Sequence, residues 1–581
     1  MSVSEDRTRG TLPGVGGCGT SLRGQTLLLV AAWLVACGLF WTNDGLWFQG
    51  DAPRHALNGL FYRDFAAEGW RDPQGYAEQY YARYPAICPT YYPPLFYLLE
   101  AAAYAVVGPQ WWVGKALSMV TGLVAGGYML AWLRRWVSES SGWLAGLLVW
   151  MPGMAEWMNA AMLNVPASAL GLGALYHLRR AMEMEDRREE GREVSWAFAL
   201  AACGIFTHPV AGVVVVIGLA WILTLRRWTI LGNRRVWVAV FLVALAIVPV
   251  FYVLNRFGDR LDQVLQTKIN WSPANKIWFY PKSLLRICGA VALLAGGFGA
   301  MVGLWSRRWR REVVLVAVWL GVFYLAMTFI WAKSGRYALV LCPAVVVLVA
   351  ILLEVTRERA RRVVSERQAW WLASGISSAI ALGMLMTLLR IPSQDVSITR
   401  EVADYMKQIA PREPVFYRGR HDGVFTFYLR LDDLGRERQV VPLVSWLHER
   451  MGPAPQPFVA DDRSLEFTRK SMLESGVRWF IQERPIIAGH SMTSPTQPNV
   501  RGLTSRPGFR LVRTFQNERP PYIRFEVYQL SDQESSATAA AETAGTAVRA
   551  IDAERPSTQA PPSAVPRKVF GHLVHPLAPT F

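Results

Sequence analysis

Long apolar blocks alternate with short charged segments over most of the chain. Most blocks are long enough for a helix that crosses about 30 Å of hydrocarbon. The pattern predicts an α-helical polytopic membrane protein with about eleven transmembrane helices. We place the spans at 25–43, 111–133, 142–157, 163–178, 195–207, 209–225, 236–255, 284–304, 313–331, 337–355 and 370–389.

The apolar run 195–225 is long for one helix and short for two. We divide it at His208-Pro209, because proline lacks a backbone donor and disfavours helix at the residue before it. The two resulting helices are short, so a re-entrant or tilted hairpin is an alternative to two full spans.

Arginine clusters provide an independent prediction of topology. Eleven spans with a cytoplasmic N-terminal tail at 1–24 place every cluster on the cytoplasmic side, as the positive-inside rule expects. The loops 44–110 and 256–283 and the region 391–530 then lie on the non-cytoplasmic side of a transmembrane module, 25–390. The clusters lie at 134–135, 179–192, 226–235, 307–311 and 357–367.

The region 391–530 has the pattern of a small α/β domain outside the membrane. Amphipathic stretches at 398–409 and 464–475 predict helices, and 415–419 and 477–483 predict strands. Residues 509–515 and 522–530 predict a closing hairpin. Residues 531–581 are rich in Ala, Thr, Ser, Pro and Glu, which predicts a disordered tail.

Composition agrees with a membrane protein. Hydrophobic residues make up 52% and charged residues 18% of the chain, whereas soluble proteins carry roughly 25% charged residues. The formal net charge of +17 is spread over short clusters between apolar blocks. That distribution excludes a nucleic-acid partner and points to membrane lipids instead.

The first outer loop carries the densest polar pattern. Asp51, Arg54, His55, Asn58 and Tyr62 are spaced so that they share one helical face directly after the first span. A carboxylate, a cation, an imidazole and an amide on one face indicate a candidate site. The alternative is that Asp51 only caps the helix, with Arg54 and His55 solvated.

A short apolar helix is predicted later in the same loop. It follows Tyr92-Pro93-Pro94 and ends before Gly108, which makes it too short to cross a bilayer. We expect an interfacial helix lying along the membrane. The tyrosines around it suit the headgroup layer, and a minority of them, such as Tyr92, can stack on a sugar.

These features together resemble a known family. An acidic residue just past the first span, the Tyr-Pro-Pro interfacial helix and the segment AKSGRYALVLCP (332–343) resemble the GT-C glycosyltransferases that use lipid-linked sugars. The branch in question contains the protein O-mannosyltransferases and the aminoarabinose transferases of lipid A. The resemblance covers about 25–390 and implies an inverting, polyprenyl-phosphate-sugar-dependent glycosyltransferase.

The resemblance makes Asp51 the catalytic carboxylate. The chemistry requires one base within reach of an acceptor hydroxyl, and cations that stabilise the departing phosphate. We expect Lys333 and Arg336 to supply those cations between spans nine and ten. The expected substrate-binding residues are Arg54, His55, Asn58, Asp64, Tyr92, Lys333, Arg336 and Tyr337.

Asn164 departs from the branch, which often has a second acidic residue at the start of span four. An amide cannot act as a base or hold a cation by charge, so we expect no metal and no cofactor. The expected partners are a polyprenyl-phosphate-linked sugar donor, an acceptor that is a protein, lipid or glycan, and membrane lipids.

Two other classes of function remain open from the sequence. A secondary transporter or a lipid-linked-sugar flippase would usually show inverted repeats and ionisable residues near the bilayer midplane. The conspicuous charges here lie at interfaces and in loops. The third class is a non-catalytic scaffold with the same fold, which Asn164 leaves open.

Overall fold

The computed structural model describes most of the chain between residues 21 and 531. The predicted tail 531–581, apart from its first residue, lies outside the described residues, as do most of the N-terminal tail and half of the loop 256–283. The described residues are 21–41, 51–87, 89, 92–257, 272–330, 333–391, 395–433, 435–442, 462–485, 502–506, 508–517 and 522–531.

Helices dominate the first two thirds of the chain. They are α1 (Leu22–Leu39), α2 (Ala52–Glu68), α3 (Pro73–Arg83), α4 (Leu95–Val107), α5 (Val113–Trp136), α6 (Gly146–Trp150), α7 (Pro152–Met158), α8 (Asn164–Ala181), α9 (Arg187–Thr207), α10 (Gly212–Thr224), α11 (Arg234–Phe257), α12 (Pro273–Cys288), α13 (Ala290–Trp305), α14 (Arg310–Phe329), α15 (Cys342–Ala360) and α16 (Glu366–Leu388). Short 3₁₀ helices lie at Gly69–Arg71, Glu139–Ala145, Pro209–Ala211, Trp228–Gly232 and Gly335–Leu341.

Helical structure occupies almost all described residues of the eleven predicted spans. Among the described residues, five helices are long and apolar enough to cross a membrane, or six if the bent pair α12–α13 is one span. The five are Leu22–Leu39, Val113–Trp136, Arg310–Phe329, Gly335–Ala360 and Glu366–Leu388. The chain is therefore a multi-pass membrane protein by helix length and composition, and the count of eleven spans stays a prediction.

The helix breaks have local causes. Thr207 ends α9 and His208 is extended, directly before Pro209, as the sequence predicts. The segment 142–157 is broken into short helical pieces rather than forming one helix. Met151 is extended there and Pro152 starts the next piece, because proline cannot continue the backbone hydrogen-bond ladder.

A second bend was not expected from the sequence. Helix α12 begins at Pro273, inside the predicted outer loop, and meets α13 at an angle of 109°. Gly289 joins the two helices with φ +80, a conformation that favours glycine. The apolar helix after this bend therefore begins at Ala290, later than the predicted start of span eight.

The C-terminal unit combines helices with one five-stranded sheet. Its helices are α17 (Ile398–Ile409), α18 (Asp422–Leu431) and α19 (Asp462–Glu474). Its strands are β1 (Val415–Arg418), β2 (Val440–Pro442), β3 (Trp479–Pro485), β4 (Phe509–Gln516) and β5 (Ile523–Leu530), in the order β2-β1-β3-β5-β4. Strands β1, β2 and β3 are parallel, whereas β3–β5 and β4–β5 are antiparallel.

The predicted α/β elements of this unit are confirmed, including the closing hairpin β4–β5. Helix α18 and strand β2 were missed. Every residue of α18 after Asp422 up to Arg430 is buried, so the helix lacks the polar face that reveals a helix in a sequence. Strand β2 has only three residues.

Candidate functional site

Helix α2 begins where the sequence predicts, and this start positions Asp51. Pro53 occupies the first turn, where its missing N–H costs nothing. Asp51 stands at the capping position, yet its side chain makes no capping hydrogen bond. Its carboxylate is instead ion-paired with the guanidinium of Arg336. The simple capping interpretation of Asp51 is therefore insufficient.

Arg336 reaches Asp51 from the 3₁₀ helix Gly335–Leu341, immediately before α15. Its side chain is 9% exposed and that of Asp51 is 30% exposed. The guanidinium also lies over the ring of Trp157, with its carbon 6.0 Å from the ring centroid. Since an isolated buried charge is costly, the Asp51 carboxylate makes this position of the arginine tolerable.

Histidine and tyrosine rings surround this ion pair. A hydrogen bond of 2.9 Å joins Nδ1 of His55 to the hydroxyl of Tyr97. The His55 ring lies 5.4 Å from that of Tyr92, and Tyr92 lies 4.9 Å from His208. His208 in turn lies 5.3 Å from Tyr337. Rings from α2 and from three other segments thus meet around the ion pair.

The electrostatics of the site keep the carboxylate ionised. Burial raises the pKa of Asp51, but the neighbouring groups Arg336, His55 and Arg54 and the hydrogen bond from Arg336 outweigh burial, so the pKa lies below its usual value. Burial lowers the pKa of His55 to about 3, and the positive charges of Arg336 and Arg54 also lower it, whereas the negative charge of Asp51 raises it. At neutral pH the site therefore contains an aspartate and a neutral imidazole.

The C-terminal unit contacts the start of α2. Gly423, in the first turn of α18, approaches Pro53 so closely that an added Cβ would lie 3.0 Å from the proline ring. Burial raises the pKa of Asp422, and Arg54 partly offsets this rise. Arg54 therefore faces α18, while Asn58, one turn later on α2, is 1% exposed.

Asp64 lies at the contact between α2 and the C-terminal unit. Its carboxylate is ion-paired with Arg430 of α18 and accepts hydrogen bonds from Arg63 at 2.6 Å and from the Tyr80 hydroxyl at 3.0 Å. Tyr84 donates to Asp433 at 2.6 Å in the same contact. These contacts connect Asp64 to α18 and are separate from the partners of Asp51.

The two expected cations, Lys333 and Arg336, have different partners in this structure. The ammonium group of Lys333 donates to the backbone carbonyls of Met327 at 2.9 Å and of Thr328 at 3.0 Å, at the end of α14. It also lies 5.3 Å from the ring centroid of Tyr280. Of the two expected cations, Arg336 is the one that the fold brings to Asp51.

Sequence reasoning left Tyr97, Trp157 and His208 out of the expected site. The proline break at His208 was the available signal, since a histidine at the tip of an apolar hairpin is unusual. Tyr97 and Trp157 reach the site through packing of distant helices, which spacing along the chain does not reveal. Within the described residues, no group of three or more His, Cys, Asp and Glu side chains that could hold a metal ion is found.

An apolar cavity lies elsewhere, between α8, α9, α10 and the 3₁₀ helix Trp228–Gly232. Its walls include Leu175, Phe198 and Val214. None of the residues around Asp51 lines it, so this cavity is separate from the candidate site.

Comparison with known proteins identifies the fold. No family model matches the sequence, and no curated protein matches it. Solved structures do match. ArnT from Cupriavidus metallidurans, in a crystal structure bound to undecaprenyl phosphate, superposes with a TM-score of 0.56 at 14% identity, covering 87% of this chain and 98% of ArnT.

Two further transferases share the architecture. The Archaeoglobus fulgidus oligosaccharyltransferase matches with a TM-score of 0.51 at 12% identity, over 80% of this chain and 70% of that protein. The arabinofuranosyltransferase AftD from Mycobacteria matches with a TM-score of 0.51 at 14% identity, over 88% of this chain and 40% of AftD. The expectation of a GT-C fold is therefore confirmed: the chain has the fold of these membrane glycosyltransferases.

Proposed function

We propose that this protein is an inverting membrane glycosyltransferase. It transfers a sugar from a polyprenyl-phosphate donor to an acceptor hydroxyl on the non-cytoplasmic side, with Asp51 as the general base. The observation that carries this proposal is the ion pair between Asp51 and the buried Arg336 among the His55, Tyr92 and Tyr337 rings. The fold shared with ArnT, whose structure contains undecaprenyl phosphate, supports the choice of donor.

The reaction is a single displacement. The acceptor oxygen attacks the anomeric carbon from the face opposite the phosphate, and its proton passes to the Asp51 carboxylate. The bond from the anomeric carbon to the phosphate oxygen breaks, and the electron pair leaves with the polyprenyl phosphate. Because attack and departure are on opposite faces, the anomeric configuration inverts.

Arg336 has two partners in this scheme. In the resting protein it neutralises Asp51, and this pairing makes the carboxylate a weak base. When the donor binds, the phosphate competes for the guanidinium, since Arg pairs well with phosphate oxygens. Loss of that pairing raises the basicity of Asp51 at the moment when the acceptor hydroxyl is to be deprotonated.

The other expected residues have supporting roles. The neutral His55, held by the Tyr97 hydroxyl, orients the carboxylate or meets the acceptor. Tyr92 and Tyr337 offer ring faces to the sugar. Arg54 and Asn58 contribute polar contacts on the same helical face, and Arg54 also faces the C-terminal unit, where we place acceptor recognition.

Sugar transfer by purified protein tests the proposal. The wild type, Asp51→Asn and Asp404→Asn are supplied with polyprenyl-phosphate sugars in nanodiscs together with candidate acceptor hydroxyl compounds. We expect Asp51→Asn to lose about 10²- to 10⁴-fold in rate, the usual contribution of a general base. Asp404 is 46% exposed and pairs with Lys407 at 2.8 Å, so its variant is the matched control and stays near wild type.

The outcomes separate the rival functions. Near wild-type transfer by Asp51→Asn removes Asp51 as the base. A lipid-linked sugar that changes leaflet without being consumed identifies a flippase. A donor that is neither consumed nor moved by any variant indicates a non-catalytic scaffold, for which Asn164 is the residue to examine.

A further inference from the structure

His208 is held in one orientation at the break between α9 and α10. Its side chain is 4% exposed. Its Nδ1 accepts a hydrogen bond of 3.1 Å from the backbone N–H of Val210. A ring nitrogen that accepts carries no proton, so the neutral ring carries its proton on Nε2.

The Nε2 atom is buried and has no hydrogen-bond partner among the residues that the structure describes. Most buried donors in folded proteins have a partner, and an exception requires an explanation. A buried N–H without an acceptor destabilises the protein unless a bound molecule supplies that acceptor.

The surroundings of His208 indicate the charge of that molecule. Its ring contacts Tyr92 and Tyr337, and the nearby ionisable groups that act on it are Arg336, His55 and Asp51. The buried guanidinium of Arg336 lies in the same cluster of rings, paired with Asp51. A donor N–H beside a buried cation suits an anion with several acceptor oxygens.

A second buried donor lies in the same part of the fold. Nδ2 of Asn164 likewise lacks a hydrogen-bond partner within the described part of the chain. Asn164 follows Leu163, which packs in one cluster with Tyr97 and has Tyr92 against it. The residue that stands where the GT-C branch often has an acid therefore adds an N–H donor rather than a negative charge.

We propose that His208 is a phosphate-binding residue, an inference that rests on the proposed glycosyltransferase function. Its Nε2–H donates a hydrogen bond to a non-bridging oxygen of the polyprenyl phosphate, opposite the contact from Arg336. His208 keeps its proton throughout the transfer. The electron pair of the broken sugar–phosphate bond stays on the phosphate, and the acceptor proton goes to Asp51.

Direct binding of undecaprenyl monophosphate to the purified full-length protein tests this role without any sugar transfer. His208→Gln keeps an N–H donor, whereas His208→Met has similar length and no donor. Because a hydrogen bond to a charged group contributes about tenfold or more in affinity, we expect Met to weaken binding at least tenfold and Gln to stay within about threefold.

The control is a histidine that has its own carboxylate partner. His177 on α8 lies 2.7 Å from Glu193, next to an arginine cluster, and His177→Met should leave the affinity unchanged. Thermal unfolding of each variant is measured in parallel. If His208→Met does not fold, His208→Phe replaces it, since phenylalanine keeps a ring and removes the donor.

Three results overturn the inference or its basis. Equal affinity of the wild type and the Met and Gln variants for undecaprenyl monophosphate shows that the Nε2–H of His208 does not donate to the phosphate. If the Met and Gln variants bind equally more weakly than the wild type, the effect comes from the shape of the imidazole and not from its N–H. Failure of the wild type to bind undecaprenyl monophosphate removes the donor assignment itself, so the two failures are distinguishable.

Discussion

The carboxylate of Asp51 is ion-paired with the guanidinium of Arg336, 285 residues later in the chain. One partner stands at the start of α2 and the other in the segment that precedes α15. This pair joins the N-terminal and late parts of the helical module at the place where we propose that chemistry occurs.

The first prediction concerns the energetic coupling between Asp51 and Arg336. Asp51→Asn removes the carboxylate partner of a buried guanidinium, and Arg336→Met removes the cation. We expect each single change to lower the free energy of unfolding by about 2 kcal/mol or more. The double variant should lose less than the sum, with a coupling of about 1 kcal/mol or more.

Thermal and denaturant unfolding in detergent provide the measurement, and sugar transfer is assayed on the same samples. The double variant should be more stable than the sum of the two single losses implies, and it should stay inactive because its base is still missing. Strictly additive losses of stability would contradict a direct pair.

The second prediction concerns pH. The lowered pKa of Asp51 keeps it ionised above its usual titration range, and the pKa of about 3 for His55 keeps that ring neutral. Both protonation states are then constant as pH rises from 5.5 to 8. We expect the transfer rate to show no acid limb from either group over this interval.

Initial rates at a donor concentration well below KM, measured in steps across that interval, decide this point, because they report the pKa values of the protein before the donor binds. A loss of rate with a midpoint near pH 6.5 that disappears in His55→Gln would show that His55 titrates in the ordinary range. The prediction that His55 is neutral over this interval would then be wrong.

The third prediction concerns docking of the C-terminal unit. Arg430→Met leaves the carboxylate of Asp64 without the partner that α18 supplies. Since breaking a buried ion pair is costly, we expect the free energy of unfolding to fall by about 3 kcal/mol or more. We also expect faster proteolysis between the helical module and the C-terminal unit. Arg412→Met is the control, because Arg412 is 79% exposed in its pair with Glu437 and such pairs contribute about 0–1 kcal/mol.

Limited proteolysis and thermal unfolding of the two variants are compared with the wild type. Equal behaviour of Arg430→Met and Arg412→Met would mean that Asp64 does not hold α2 to α18. Asp64 would then return to the list of candidate substrate-binding residues.

The fourth prediction tests the packing of α13 against α15. An added Cβ at Gly299 would lie 2.0 Å from the backbone carbonyl oxygen of Leu348, and backbone cannot move aside cheaply. We expect Gly299→Ala to destabilise strongly, by about 2 kcal/mol or more. At Gly297, on the same helix, nothing lies within 4 Å, so Gly297→Ala should be neutral or slightly stabilising.

The yield of folded protein and its unfolding temperature are compared for the two alanine variants. Similar temperatures for both would show that the two helices pack less closely than these positions require. This comparison needs no assumption about function.

Several local features could be read from the sequence because they depend on neighbours in the chain. Pro53 after a polar residue predicts the start of α2, and Pro94 predicts α4. The break at His208 follows from Pro209. In the C-terminal unit, alternation of apolar and polar residues predicts the hairpin of β4 and β5.

The candidate site was predictable only in part. The acidic residue of the first outer loop and Arg336 could be proposed separately, one from its place after a span and one from its place before another. That the two meet, while Lys333 turns to the carbonyls at the end of α14, depends on how helices hundreds of residues apart pack. Spacing along the chain carries no information on that packing.

The sequence by itself determined that this is a helical membrane protein with a polar face at Asp51 and a small α/β unit, because hydrophobic periodicity and proline positions act locally. Tertiary structure alone decided which charges become partners. It paired Asp51 with Arg336, gave Asp64 to Arg430, and brought His208 beside Tyr92 and Tyr337. A buried charge or donor takes its partner from whichever segment the packing places next to it.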